Sequence, residues 1–203
     1  MTITVKFNSN LLQSALLFAA NKDIRYYLNG VYIDFKSNNF VATDGKCAYI
    51  GQPNSLEITG DVGDTEGIVM PSDFCKTLKS LYEIITIDGL KIESSSDKAT
   101  AIEGKFPDYR RVYPKTIEPS IANLSVAFLQ KCAKANRILG AKRNYDHLDL
   151  FQGGLSNSSV CQLHDNKAHV VIMPFKMQAV YSRYNFESME NNITNSLEST
   201  LDE

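Results

Sequence analysis

The sequence predicts an α+β fold in which a β-α-β-β-β-α plan is laid down twice along 203 residues. Three observations predict it. Segments that alternate apolar and polar side chains, as a strand with one buried face does, are interrupted by stretches whose apolar residues recur at helical spacing. A strand, Met-Pro, helix step occurs at IVMPSDFCKTL and again at HVVIMPFKMQAV. Between the two copies, TIEPS has the Pro-bearing composition of a domain boundary.

Residues 2–7, TITVKF, turn the β-branched Ile3 and Val5 inward and read as a strand. Asn8, Ser9 or Asn10 then caps a helix expected to run through Ala20, with Leu11, Leu12, Ala15, Leu16 and Ala19 on one stripe. YYLNGVYIDF (26–35) and, after a Ser37-Asn38-Asn39 turn, FVATDGKCAYIGQ (40–52) read as the next two strands. GIVM is a further strand. Pro71 is expected in the first turn of a second helix, PSDFCKTLKSLY (71–82), where its missing N–H has no helical partner to lose. EIITIDGLKIESSS predicts two strands turning at Asp88-Gly89, and KATAIEGKF one more. After the linker, IANLSV (121–126) reads as a strand, AFLQKCAKANRIL (127–139) as a helix, and YDHLDLFQG and SSVCQLHD as strands. AHVVIMP followed by FKMQAVYSRY (175–184) repeats the strand-to-helix step. The units are therefore 1–115, complete, and 116–187, which stops early. Residues 188–203 carry four carboxylates and no Lys or Arg, and read as an acidic flexible tail.

With 43% hydrophobic and 22% charged residues, the chain can bury a core of ordinary size. Its longest apolar stretch, Leu11 to Ala20, falls short of the roughly 20 residues that span a bilayer, so no membrane partner is expected. MTITVKF lacks the features of a secretory signal, which predicts a cytoplasmic protein with reduced thiols. The cysteines (Cys47, Cys75, Cys132, Cys161) form no C-x-x-C pair, against a zinc ribbon or a disulfide framework, and read as small buried apolar groups. His147, His164 and His169 stand near Asp146, Asp149 and Asp165, but without H-E-x-x-H or paired-ligand spacing they read as surface or strand histidines. No phosphate loop, G-x-S-x-G elbow or other catalytic constellation is present, so neither an enzyme nor a cofactor is expected. A net charge of −2 excludes tight wrapping of duplex DNA by a generally basic surface and leaves only local patches for phosphate contact.

Three strings, DIRYYLNGV (23–31), VATDGK (41–46) and EGKFPDYRRVYP (103–114), resemble, in order and spacing, the middle domain of the β sliding clamp of bacterial DNA polymerase III. The resemblance covers about the first 115 residues and is weaker beyond, where it rests on FLQKCAKANRIL and VVIMPFKM. It implies a DNA-clamp fold, antiparallel sheets outside and helices on one face. It also implies a greasy pocket for short linear peptides of the DNA polymerase and clamp loader, lined at matching positions by Leu28, Thr43, Gly45, Lys46, Cys47, Ala48, Pro107, Arg111 and Val112. Read without the family, Thr43-Asp44-Gly45 and Pro107-Asp108 are turns that would simply close sheet ends. Lys46-Cys47-Ala48 stands where the family commonly shows His-Arg-Leu, which implies a smaller pocket. VVIMPFKM resembles the family's V-M-P-M-R-L ending, which completes the pocket. It equally resembles this chain's own IVMPSDF step, and helical spacing at Met177, Val180 or Tyr181, and Tyr184 favours strand plus helix.

The resemblance further implies sequence-independent contact with double-stranded DNA through helix cations. The positions are Lys22, Lys76, Lys79, Lys131, Lys134, Arg137, Lys142 and Arg143; the alternative is that these are solvated faces of surface helices. Two functions follow. In the first, the chain is a processivity factor whose homotrimer supplies six domains to a ring. In the second, it is a clamp-derived interaction protein that closes no ring and modulates replication by binding clamp partners or a clamp subunit.

Overall fold

Local chain signals build most elements of the computed structural model, which describes residues 2–115, 117, 124–142, 147–152 and 158–174. Strand β1 (Thr2–Asn8) alternates as predicted, with Ile3, Val5 and Phe7 buried. Asn8 caps helix α1 (Ser9–Leu16), its side-chain oxygen accepting from the Asn10 N–H at 2.9 Å. β2 (Gly30–Asp34), β3 (Asn39–Thr43), β4 (Cys47–Gly51), β5 (Glu57–Thr59) and β6 (Gly67–Pro71) precede α2 (Ser72–Thr77). β7 (Tyr82–Asp88), β8 (Lys91–Ser94) and β9 (Lys98–Thr100) come next. α3 (Val126–Ile138), β10 (Asp149–Phe151), β11 (Ser159–Leu163) and β12 (Ala168–Ile172) follow.

Two antiparallel sheets result, in the orders β5-β1-β7-β8-β9 and β10-β11-β12-β4-β3-β2-β6. The second joins the two halves of the chain, because β12 pairs with β4 from Ala168↔Gly51 to Ile172↔Cys47. α1 packs against both α2 and α3, so the helices share the inner face of this sheet. Phe40, Ala42, Cys47, Tyr49, Ile68, Met70, Val170 and Ile172 meet the helix-side core, while Val41, Ile50, Val69 and Val171 point the other way into a second cluster with Leu28, Phe106 and Tyr109. Both faces are therefore dry. This explains why β3 and β4 are buried at every position, where a one-sided sheet would alternate.

The structure departs from several expectations. α1 ends at Leu16, not Ala20, because the Phe18 N–H turns back to the Ala15 carbonyl and the Ala20 N–H is taken by the Leu28 carbonyl. α2 is half the expected length: Leu78 turns extended, and Tyr82 is already paired with Asn8 in the other sheet. Pro71 lies before the first turn of α2, with ψ 140°, as the last residue of β6 opposite Gly30. Tyr26–Leu28, expected in a strand, forms a 3₁₀ turn, and FVATDGKCAYIGQ folds into two strands at its Thr43-Asp44-Gly45 turn. β5 was not anticipated. Of IANLSV, Leu124 and Ser125 are irregular and Val126 opens α3; residues 121–123 lie outside the described residues, as do FKMQAVYSRY and the acidic tail.

Candidate functional site

Four pieces of chain converge on one end of the second cluster. The first is the β3–β4 turn, built by its own side chains. Thr43 Oγ1 donates to the Cys47 carbonyl at 2.7 Å and accepts from the Gly45 N–H at 3.0 Å. The Asp44 carboxylate accepts from the Lys46 and Cys47 N–H groups at 2.9 and 3.0 Å. Gly45 sits at φ 84°, a left-handed conformation that calls for glycine, with the movable end of the Arg25 side chain packed over it. The second piece is the 3₁₀ turn with Arg25, Tyr27 and Leu28. Arg25 is held by Asp23 through contacts of 3.0 and 2.8 Å, and this pairing takes the Asp23 carboxyl down to about 2.

The third piece is the strap, residues 105–113, which crosses the outer face of the seven-stranded sheet and presents Pro107, Asp108, Tyr109 and Val112. The fourth is the end of β12, where Val171 is buried and Met173, whose N–H reaches the Lys46 carbonyl at 3.0 Å, is 46% exposed. Between them lies a cavity of about 220 Å³ with a mainly apolar lining.

Eight of the nine residues expected there line this cavity: Leu28, Thr43, Gly45, Lys46, Cys47, Ala48, Pro107 and Val112. Arg111 is the exception. Its side chain is 85% exposed and pairs with Asp108 at 3.0 Å, facing the neighbouring groove with Lys105 and Lys36. Cys47 belongs through its side chain to the helix-side core, where burial pushes its thiol up, so the pocket meets other parts of that residue. The expectation missed Arg25, Tyr27, Asp108, Tyr109, Val171 and Met173. Val171 and Met173 fall within VVIMPFKM, whose strand reading carried the signal; the helix proposed to follow lies outside the described residues.

The basic positions are less uniform than their sequence suggests. Lys134 and Arg137 are exposed on α3, Lys142 just beyond it, Lys22 in a left-handed turn after α1 and Lys79 between α2 and β7. Lys76 pairs with Asp73 at 2.7 Å. Lys131 is turned toward the β3–β4 turn, its ammonium 3.3 Å from the Asp44 carboxylate and near the Phe18 and Phe128 rings on the helix side of the sheet. Arg143 lies outside the described residues. Among the described residues no group of three or more His, Cys, Asp or Glu is arranged to hold a metal, and no helix is long and apolar enough to cross a membrane.

The chain is 27% identical over 173 residues to the β sliding clamp of Treponema pallidum, covering 78% of this chain and 45% of the relative. It is 30% identical over 141 residues to that of Vibrio cholerae, covering 62% and 38%. It thus spans less than half the length of these curated relatives. Its structure matches the DNA polymerase III subunit β of Pseudomonas aeruginosa with a TM-score of 0.64 at 16% identity, covering 86% of this chain and 66% of that one. The Helicobacter pylori β clamp bound to a DNA ligase peptide matches with a TM-score of 0.60 at 14% identity, covering 86% and 65%. No family model matches the chain. The fold is that of the DNA clamps, and the chain is a relative of the bacterial β sliding clamps.

Proposed function

We propose that this relative of the bacterial β sliding clamps is a non-enzymatic, clamp-like replication processivity factor whose pocket captures short linear peptides of a DNA polymerase and its loader. The observation that carries this reading is the convergence of eight residues from three separated stretches of chain (28, 43–48 and 107–112), together with Val171 and Met173, on one apolar cavity. Each stretch has a local role as a turn or strand end, but local roles do not require the stretches to meet. A cavity of this size, apolar with a few polar groups at its rim, suits one or two anchor side chains of a peptide. That the Helicobacter pylori clamp is described bound to a DNA ligase peptide supports the same ligand class.

DNA would be held loosely by Lys76, Lys131, Lys134 and Arg137 on the helices and by Lys22, Lys79 and Lys142 beside them, with Arg143, outside the described residues, as a further candidate and topological closure supplying retention. The division into units 1–115 and 116–187 remains part of this proposal, supported by the linker and by the helix-then-strands order of α3 and β10–β12. Among the described residues β10 is an edge strand of three residues, a short template for pairing with another subunit. It favours the second reading, an interaction protein that closes no ring. Titration of a fluorescent peptide ending in a Leu-Phe anchor tests the pocket: saturable micromolar binding is expected, and no binding at millimolar peptide would refute it. Light scattering separates the two assemblies, since a ring of six units requires the mass of three chains.

A further inference from the structure

The strap supplies one wall of the pocket, yet its regular structure is a single 3₁₀ turn, Tyr109–Val112. Side chains hold it to the sheet. Phe106 stacks on Tyr32 with centroids 4.6 Å apart and planes within 3°. Three residues on, the Tyr109 hydroxyl and the Arg110 guanidinium both donate to the same oxygen of Asp34, each at 2.7 Å. The other Asp34 oxygen accepts from the Lys36 and Ser37 N–H groups at 2.8 and 3.1 Å. Arg110 also reaches the Ser37 hydroxyl at 2.9 Å and lies over the Tyr109 ring at 4.7 Å. Asp34 is only 2% exposed, at the end of β2, and does not line the pocket.

A buried carboxylate is costly unless its acceptor sites are filled, and here two of the four donors come from the strap. Removing the strap would leave Asp34 with backbone donors alone. The carboxylate therefore ties the strap's position to its own solvation. Tyr109 is both a donor to Asp34 and a lining residue, so the tether acts directly on the pocket wall.

We infer that Asp34 is the positioning residue of the pocket, a buried anchor that fixes the strap through Tyr109 and Arg110 so that Pro107 and Val112 face the wall made by β12. The inference rests on the peptide-capture reading for its ligand, but the anchoring itself can be read without any ligand. Asp34→Asn keeps the shape and turns an N–H₂ group toward donors. Arg110→Gln removes the charged donor from an exposed residue outside the cavity.

The test compares the parent, both single variants and the double variant, by titration with the Leu-Phe peptide and by brief trypsin digestion mapped by mass spectrometry. Lys105 and Arg111 are the reporting cleavage sites, since both lie in the strap and survive in every variant. Each single variant is expected to weaken the peptide about tenfold, the loss implied by one charge-assisted hydrogen bond. Cleavage at Lys105 and Arg111 should rise by a similar factor while sites elsewhere keep the parent's rate. The double variant should be little worse than Asp34→Asn alone, because that change already removes the charge that Arg110 pairs with. Parental affinity with parental cleavage in both single variants would overturn the inference, as would fully additive effects in the double variant. Should Asp34→Asn fail to fold, Arg110→Gln decides alone. Should the parent bind no peptide, the peptide reading falls and strap cleavage decides the anchor by itself.

Discussion

Leu28 and Met173 both line the pocket, but they differ in what a ligand can gain from them. Leu28 is 1% exposed in the free protein, so its apolar surface is already removed from water by folding. Met173 is 46% exposed and keeps nearly half of its burial in reserve. Fully burying a Met side chain contributes about 1.5–3 kcal/mol, so the remaining share is about 0.7–1.4 kcal/mol, a three- to tenfold change in Kd. Met173→Ala should therefore raise the peptide Kd about three- to tenfold and shift the urea midpoint only slightly. Leu28→Ala should do the reverse, costing about 2–5 kcal/mol of stability through a core cavity, with the smaller part of its effect in binding. Fluorescence anisotropy of labelled peptide, paired with urea melts of the same samples, measures both quantities. If Met173→Ala binds like the parent while Leu28→Ala loses affinity at unchanged stability, the ligand does not contact the pocket as the exposures imply.

The shared sheet and core predict one cooperative unfolding transition for both halves of the chain, and two resolved transitions by circular dichroism would contradict it. Burial alone would raise the carboxyls of Asp34 and Asp44. For Asp34, hydrogen bonds from Tyr109, Ser37 and Lys36 and the charge of Arg110 more than offset this; for Asp44, the Lys46 and Cys47 N–H groups and the charge of Lys131 do so. Both stay below the ordinary value of 3.8. Their stabilisation is thus present above about pH 4 and lost as pH falls through the lower folded values, so urea midpoints should hold near neutrality and drop below pH 4, less steeply in Asp34→Asn. Lys134→Glu should weaken salt-sensitive binding to linear duplex, while Lys131→Glu should also weaken the peptide because it breaks the contact with Asp44; equal peptide affinity in both would count against the latter role. All four cysteines are buried, and burial pushes the Cys75 thiol up to about 12, so a thiol reagent at pH 8 should react only after denaturant is added.

Where a residue's role is local, the sequence was readable. Thr43-Asp44-Gly45 makes its turn with its own side chains, and β1 shows its buried side in simple alternation. The pocket residues were legible only through resemblance, since nothing local to Leu28 or Val112 announces that they meet. Helix ends are not legible in the local sequence because distant partners set them: the Leu28 carbonyl claims the Ala20 N–H, and β1 claims Tyr82. β5 has no buried residue to give an apolar period, and β3 and β4 are covered on both faces by elements remote in sequence. Asp34 was invisible for the same reason, because its worth depends on Tyr109 and Arg110 more than 70 residues on.

The register between β12 and β4 has a consequence for how the molecule is made. Its paired residues stand more than 100 positions apart, so the ring of contacts around the cavity is among the slowest loops to close. During synthesis, the turn at Asp44 and the strap both emerge long before Val171 and Met173. Until those arrive, the edge of β4 and the apolar residues beneath it lie open, a surface to which a chaperone or another nascent strand can add. Binding competence is in this sense a completion signal: the pocket exists only in chains that have been synthesised at least as far as residue 173.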